Sequence, residues 1–369
     1  MTIGIHSFSF FRYIKQVFFI FMIINGKNMT RFLSLFAFLL SFTTFLPSAE
    51  AGAVLNRIKQ TGVVRCGVRT TADAYAYRNR ENEWQGIDIE VCRAAATAIL
   101  GRPEAIQPIP ANRDEGFRML ANNEIDLLMA ATPWTIKNDF VSNAAFPAIY
   151  YYTALAFIAH YNPEATSMKD YAGKKVCVEA SPFLLQALDE YNKKYQLDLK
   201  IMSFPDLGRA KELLYLKRCD LLLDRLETLH SDYFKKTPDT VDLVVLPEIV
   251  RTFPTGPYIR KDDPEMAKML RWLIYALIAA EKKGVSSQNI EDFQNTRDRE
   301  ILNLLGENDL FARELGLDPK WLYRTLAERG NYGEIYRRAL GDRSPLKIKR
   351  SANRLWTDGG RIWAPSFED

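Results

Sequence analysis

The chain has 369 residues, 47% of them hydrophobic and 25% charged, an ordinary globular composition with enough chain for about two domains. That balance excludes a mostly disordered chain and a collagen-like or coiled-coil fibre. Lysine and arginine number 49 against 45 acids, a net charge of +4, too mild for nucleic-acid binding by bulk charge.

Two apolar runs open the chain. Phe8 to Ile24 is interrupted by Arg12 and Lys15, and Asn25-Gly26-Lys27-Asn28 follows it. The second run starts at Met29-Thr30-Arg31, extends from Phe32 to Leu46 and closes on Ser48-Ala49-Glu50-Ala51. A short positive end, an apolar stretch and a small-x-small close predict a cleavable secretory signal. The second run is shorter than the roughly 20 residues of a membrane span. Residues 1–51 are therefore expected to be a presequence, with cleavage after Ala51, an exported mature chain and Met29 as an alternative start.

Export bears on Cys66, Cys92, Cys177 and Cys219. An even count in an oxidising compartment predicts disulfides, of which four cysteines allow three pairings; four buried thiols are the alternative. The chain also repeats itself. Gly62-Val63-Val64-Arg65-Cys66 and Gly173-Lys174-Lys175-Val176-Cys177 each read as a turn and a short buried strand. A helical pattern follows each: Val91, Ala95, Ala98 and Ile99 share one face, as do Leu184, Leu185 and Leu188. Each half then has a strand led by aspartate, Asp126 before Leu127-Leu128-Met129-Ala130 and Asp220 before Leu221-Leu222-Leu223. Short apolar strands separated by helices predict parallel-rich sheets covered by helices in an α/β fold. The repeat suggests two lobes, each with its own disulfide, Cys66–Cys92 and Cys177–Cys219.

Ile149 to Phe157 and the stretch around Leu246 to Val250 read as strands that cross between lobes. The expected division is 52–152 plus 252–369 for lobe 1, with a helical C-terminal extension, and 153–251 for lobe 2. Two connecting strands make a hinge on which lobes close over a ligand. Beyond Arg271 a helix is expected, with Trp272, Tyr275, Ala276 and Ala279 packing into the core.

Enzyme motifs are missing: there is no GxGxxG, P-loop, GxSxG or HExxH, and no catalytic metal or cofactor is expected. His160 and His230 read as surface or capping residues. Arg337, Arg338, Arg343, Lys347, Lys349, Arg350 and Arg354 read as a solvated basic face, with an acidic partner as the alternative. Ligands in open α/β sheets sit beyond the carboxyl ends of strands. Asp224 holds that position in lobe 2, either to grip an ammonium group or to cap a helix or pair with Arg225. In lobe 1 the position falls on Ala131-Thr132-Pro133-Trp134-Thr135, whose hydroxyls and backbone amides are candidate carboxylate donors. Arg69-Thr70-Thr71 follow the first strand, and Tyr75 and Tyr77 are candidates to stack on a ligand.

With these residues in view, the chain resembles the periplasmic solute-binding proteins of polar amino-acid ABC transporters, and more narrowly their general L-amino-acid receptor branch. The resemblance covers essentially all of 52–369. It rests on Cys66-Gly67-Val68, Trp84-Gln85-Gly86-Ile87-Asp88-Ile89-Glu90-Val91-Cys92-Arg93-Ala94, Glu124-Ile125-Asp126-Leu127-Leu128, Arg218-Cys219-Asp220 and Leu246-Pro247-Glu248-Ile249. In the C-terminal extension it rests on Gly330-Asn331-Tyr332-Gly333-Glu334-Ile335 and Leu355-Trp356-Thr357-Asp358-Gly359-Gly360. It implies a monomeric two-lobed receptor that closes on a free amino acid or related amine and docks on a membrane permease.

The resemblance carries Asp224 over as the acid for the α-amino group. Thr135 opens the Thr-x-x-Arg pattern whose arginine pairs with the α-carboxylate, but that position is Asn138; another pocket arginine of the family is Gly116. Ser181-Pro182-Phe183 stands where a Gly-Thr-Thr loop supplies donors, and Pro182 has no N–H. Asparagine offers neither charge nor a bidentate fork, so either Arg69 or Arg113 replaces the missing guanidinium or the ligand is an amine or other compound without that carboxylate. Two alternatives stay open: a secreted dehydratase of prephenate or arogenate type on the same fold, using an acid such as Glu179, and a sensory or assembly protein that no longer serves uptake.

Overall fold

The computed structural model describes residues 52–70, 74–111, 113–141, 143–231 and 241–368. The expected presequence lies outside these residues. In chain order the strands are β1 (Val64–Val68), β2 (Tyr77–Arg78), β3 (Trp84–Gln85), β4 (Ile106–Pro110), β5 (Leu127–Leu128) and β6 (Ala144–Ala145). They continue as β7 (Tyr151–His160), β8 (Lys175–Glu179), β9 (Lys200–Phe204), β10 (Leu221–Arg225), β11 (Leu243–Thr255) and β12 (Ile259–Arg260).

One lobe is built on a three-stranded parallel sheet in the order β4-β1-β5, the other on a five-stranded sheet in the order β11-β7-β10-β8-β9. Strands β8, β9 and β10 pair in parallel, as the apolar runs of β8 and β10 predict; β9 is more exposed and is not among the strands read from the sequence. The two strands expected to cross between lobes are the exception. β7 runs antiparallel to β10 and to β11, and β11 shifts register twice around Ile249.

The repeat has a physical basis. Asp126 stands immediately before β5; its carboxylate accepts the Arg65 backbone N–H at 2.7 Å, and its own N–H donates to the Arg65 carbonyl at 2.8 Å. Asp220, before β10, makes the same pair of bonds with Lys175, both at 2.9 Å. In each lobe an aspartate thus sets the register of one parallel strand against another. The two disulfides are the ones the repeat suggests, Cys66–Cys92 and Cys177–Cys219. The first ties β1 to the helix Ile87–Leu100, and the second ties β8 to the residue two places before β10.

The five-stranded sheet buries both faces. Leu221 and Leu223 pack with Leu184 and Leu188 on one side, while Leu222 and Cys177 pack with Ala210 and Leu214 on the other. The other lobe shares one core with the C-terminal extension, joining Ile58, Val64 and Ile87 to Leu273, Trp321, Tyr336, Leu355 and Ile362. The helix Pro264–Lys282 supplies the expected apolar stripe: Ala276 and Ala279 are buried, Trp272 and Tyr275 half-buried. Among the described residues no helix is long and apolar enough to cross a membrane.

The basic cluster near the end is not wholly a solvated face. Arg338 and Arg329 donate to the carboxylate of Glu90, which is 1% exposed and also paired with Arg93. Arg350 pairs with Glu281 and lies over the rings of Tyr332 and Tyr336. His160 does act as a cap, its ring Nε2 lying 2.7 Å from the Leu214 carbonyl oxygen, one residue short of the end of the helix Leu207–Tyr215.

Because the Glu90 charge is buried under three arginines from two parts of the chain, Glu90→Ala should cost about 3–5 kcal/mol in chemical unfolding. A loss below about 1 kcal/mol would mean that this charge cluster does not hold the extension.

Candidate functional site

The carboxyl ends of the two sheets enclose a cleft of about 850 Å³. One wall carries Arg69 and Thr70 after β1, Pro110 and Ala111 at the end of β4, and Ala130, Ala131 and Pro133 after β5. The other carries Glu179 and Ser181 after β8, Arg225 closing β10, Phe183, and Thr153 and Phe253 from the crossing strands. Size and lining suit a small polar solute. A second groove, of about 880 Å³, lies among the C-terminal helices between Leu302, Lys320 and Tyr323, away from the strand ends. There the Lys320 ammonium is spent on the Leu305 carbonyl and the Tyr323 hydroxyl on Glu291.

Of the residues singled out in the sequence, Arg69, Thr70, Ala131, Pro133, Glu179, Ser181, Phe183 and Arg225 line the cleft. Arg113 opens the helix Arg113–Ala121, but its side chain is outside the described residues. The others lie behind the wall or beside it. Tyr75, expected to stack on a ligand, is 1% exposed; its hydroxyl donates to Thr153 Oγ1 at 3.1 Å and its ring packs edge-on against Tyr151.

The loop after β5 differs from the expected row of open amides. Ala130 and Ala131 adopt left-handed φ of 44° and 51°, which ends the strand at Leu128, short of the expected run. The Ala131 N–H points to Asp88 Oδ2 at 3.4 Å, that of Thr132 bonds the Met129 carbonyl at 3.0 Å, and that of Trp134 bonds Pro254. The Thr132 hydroxyl is fully buried and has no hydrogen-bond partner among the described residues. Thr135 Oγ1 accepts the Asn138 backbone N–H at 3.2 Å, and the Asn138 side-chain amide donates to the Pro133 carbonyl at 2.9 Å. Asn138 therefore braces the loop. Gly116 faces the core: a Cβ there would meet Leu128 Cδ1 at 2.3 Å, so no side chain fits while Leu128 keeps its place.

Two buried acids stand behind the walls. Asp88, at the start of the helix Ile87–Leu100, accepts the Tyr150 hydroxyl at 2.5 Å, and burial pushes its carboxyl from 3.8 to about 7. Asp224 is 4% exposed, and burial raises it to about 6, with the charges of Glu179 and Glu227 adding to the rise. Its Oδ1 accepts the backbone N–H of Arg225 at 2.6 Å, so the expected link between these neighbours runs through the main chain and not through an ion pair.

Glu115, Thr153 and Phe253 line the cleft without having been singled out in the sequence, and Arg225 was weighed there only as a partner for Asp224. Alternation along β10 carries the signal for Arg225. Leu221 and Leu223 share one face and Leu222 the other, so Arg225 and Asp224 diverge at the strand end.

Residues 64–288 match the family described as bacterial extracellular solute-binding proteins, family 3. The chain is 33% identical over 321 residues to the general L-amino acid-binding periplasmic protein AapJ of Rhizobium johnstonii, covering 86% of this chain and 94% of that protein. It is 28% identical over 328 residues to the glutamate/glutamine/aspartate/asparagine-binding protein BztA of Rhodobacter capsulatus, covering 89% and 97%. A solved structure of an ABC transporter periplasmic binding protein from Brucella ovis, with glutathione bound, is similar at a TM-score of 0.73 and 31% identity. It covers 85% of this chain and 99% of that one. The family consists of binding proteins, which sets the dehydratase alternative aside.

Asp88 holds its proton more tightly when folded, so its contribution to stability is full below pH 3.8 and declines as pH rises through about 7. Replacing Asp88 with Asn should flatten that part of the profile, worth on the order of 4 kcal/mol. Unfolding midpoints measured from pH 4 to 8 check this; an unchanged slope assigns the dependence to other groups. Gly116→Ala should cost about 1–3 kcal/mol by overpacking against Leu128, read from the same unfolding curves. A neutral result would show that Leu128 yields.

Proposed function

The chain belongs to the bacterial extracellular solute-binding proteins, family 3, as the solute-binding component of an amino-acid ABC importer, and we propose that it captures a free L-amino acid or related amine by closing its lobes. On this reading the lobes are 52–152 with 252–369, and 153–251, hinged on β7 and β11. Export through residues 1–51 would deliver the chain to the periplasm, where the closed form docks on a membrane permease as a monomer. The observation that supports this reading most is the cleft itself, polar on both walls and set at the carboxyl ends of both sheets.

Among the described residues each wall offers one cation and one acid, Arg69 with Glu115 of the helix Arg113–Ala121 on one side and Arg225 with Glu179 on the other. Arg69 and Thr70 take the carboxylate from lobe 1, the role left open by Asn138, with the unpartnered Thr132 hydroxyl behind them. The ammonium goes to the acids of lobe 2, Glu179 on the wall with Asp224 buried directly behind it. An arriving cation would favour the ionised form of Asp224 and return part of the cost of burying it. AapJ, named a general L-amino acid-binding protein, supports a broad range; the glutathione-bound Brucella protein supports a cleft of this architecture admitting a short peptide.

The test is thermal unfolding of ligand-free chain 52–369 against the twenty L-amino acids, simple amines and reduced glutathione. A ligand at about 100 times its Kd should add about 2.7 kcal/mol and raise the midpoint by several degrees. A rise with amines alone would mean that the carboxylate end is not read, and no rise at all would overturn the reading. Asp224→Ala and Arg69→Gln should each lower affinity by roughly tenfold or more in calorimetry. An unchanged affinity would remove that residue from the site.

A further inference from the structure

Arg225 is placed to do something that neither the expected site nor the family pattern assigns to it. It closes β10, half-buried, on the face of Leu221 and Leu223, and its guanidinium carbon lies 6.0 Å from the centre of the Phe183 ring. Phe183 in turn packs against Phe253 at 4.4 Å, and all three residues line the cleft. Among the described residues the Arg225 side chain closes no ion pair. The acids nearest in charge are engaged elsewhere: Glu227 accepts from Tyr151 and Thr153, and Asp224 from the Arg225 backbone. A guanidinium seated on an aromatic face keeps its fork of N–H donors directed outward and has lost little freedom that binding would otherwise remove.

The rest of that wall points the same way. Pro182 has no N–H to offer an anion, and it starts the helix Pro182–Tyr195, which sets Phe183 as the seat. On this wall Arg225 is the cationic side chain, with the Ser181 hydroxyl and the Glu179 carboxyl beside it. Arg69 stands on the opposite wall. Resting on the amino-acid reading above, we infer that Arg225 is a second anion-binding residue of the cleft, and that the preferred ligand is an amino compound with two carboxylates, one for each wall. Acidic amino acids and glutathione carry that charge pattern; neutral amino acids carry half of it.

Calorimetry with L-glutamate, L-aspartate and reduced glutathione, against L-glutamine and L-leucine, tests this on wild type, Arg225→Gln and Arg225→Lys. Wild type should bind at least one two-carboxylate probe roughly tenfold or more tighter than L-glutamine and L-leucine. Arg225→Gln should weaken that probe by roughly thirtyfold and change the neutral probes by less than about threefold, with Arg225→Lys between. Ligand-free unfolding midpoints matching wild type establish that both variants fold. Equal loss for both probe classes, no loss, or no preference in wild type overturns the role of Arg225 while leaving the amino-acid receptor standing. Wild type that binds none of the five probes, with thermal shifts by none of the twenty amino acids, overturns both.

Discussion

A buried carboxyl ties strand β7 to the segment after β1 and to the segment after β10. Glu227, 1% exposed, accepts the Tyr151 hydroxyl at 2.5 Å and the Thr153 hydroxyl at 2.9 Å, and Thr153 accepts from Tyr75 at 3.1 Å. Tyr75 comes from the first lobe, Tyr151 and Thr153 from strand β7, and Glu227 from the short helix Leu226–His230 that follows β10. A carboxyl group this deep is costly unless its oxygens are occupied, and burial raises its proton affinity accordingly. The same Thr153 lines the cleft, so the bonds that hold the crossing strand end at the place where a solute would sit.

The C-terminal extension serves the same strand from outside. Asn353 accepts the Tyr152 N–H at 2.7 Å and donates to the Tyr152 carbonyl at 3.0 Å. Tyr152 is thus matched as if by another strand, between neighbours that point their hydroxyl and ring groups inward. Glu90 beneath Arg329 and Arg338, and Arg350 against Glu281, fasten the extension to the lobe that starts the chain. Its basic residues divide by role, with some spent on these buried acids and others, such as Arg343 and Lys347, exposed.

Much of the fold was legible because periodicity and repetition are local. The aspartates that lead β5 and β10 recur with the same spacing because each bonds the backbone of a parallel neighbour, and the cysteine pairing follows from the repeat. Less legible were the directions of β7 and β11, since apolar runs look alike in parallel and antiparallel pairs. In the site, Arg69, Thr70 and Ala131 were found by the rule that ligands sit beyond strand ends. Tyr75 was misjudged because an aromatic in a loop carries no mark of whether its hydroxyl will find a buried partner.

By itself, then, the sequence determined the α/β architecture, the two lobes, the disulfides and the family, all of which depend on spacing along the chain. Tertiary structure alone decided which polar groups face the cleft. Asp224 and Arg225 are adjacent in sequence, yet strand alternation sends one behind the wall and the other onto it. Asn138 and Gly116 look like gaps in a binding pattern, yet one braces a loop and the other admits Leu128 to the core. Such assignments depend on side-chain direction and on residues far away in the chain, which no local pattern records.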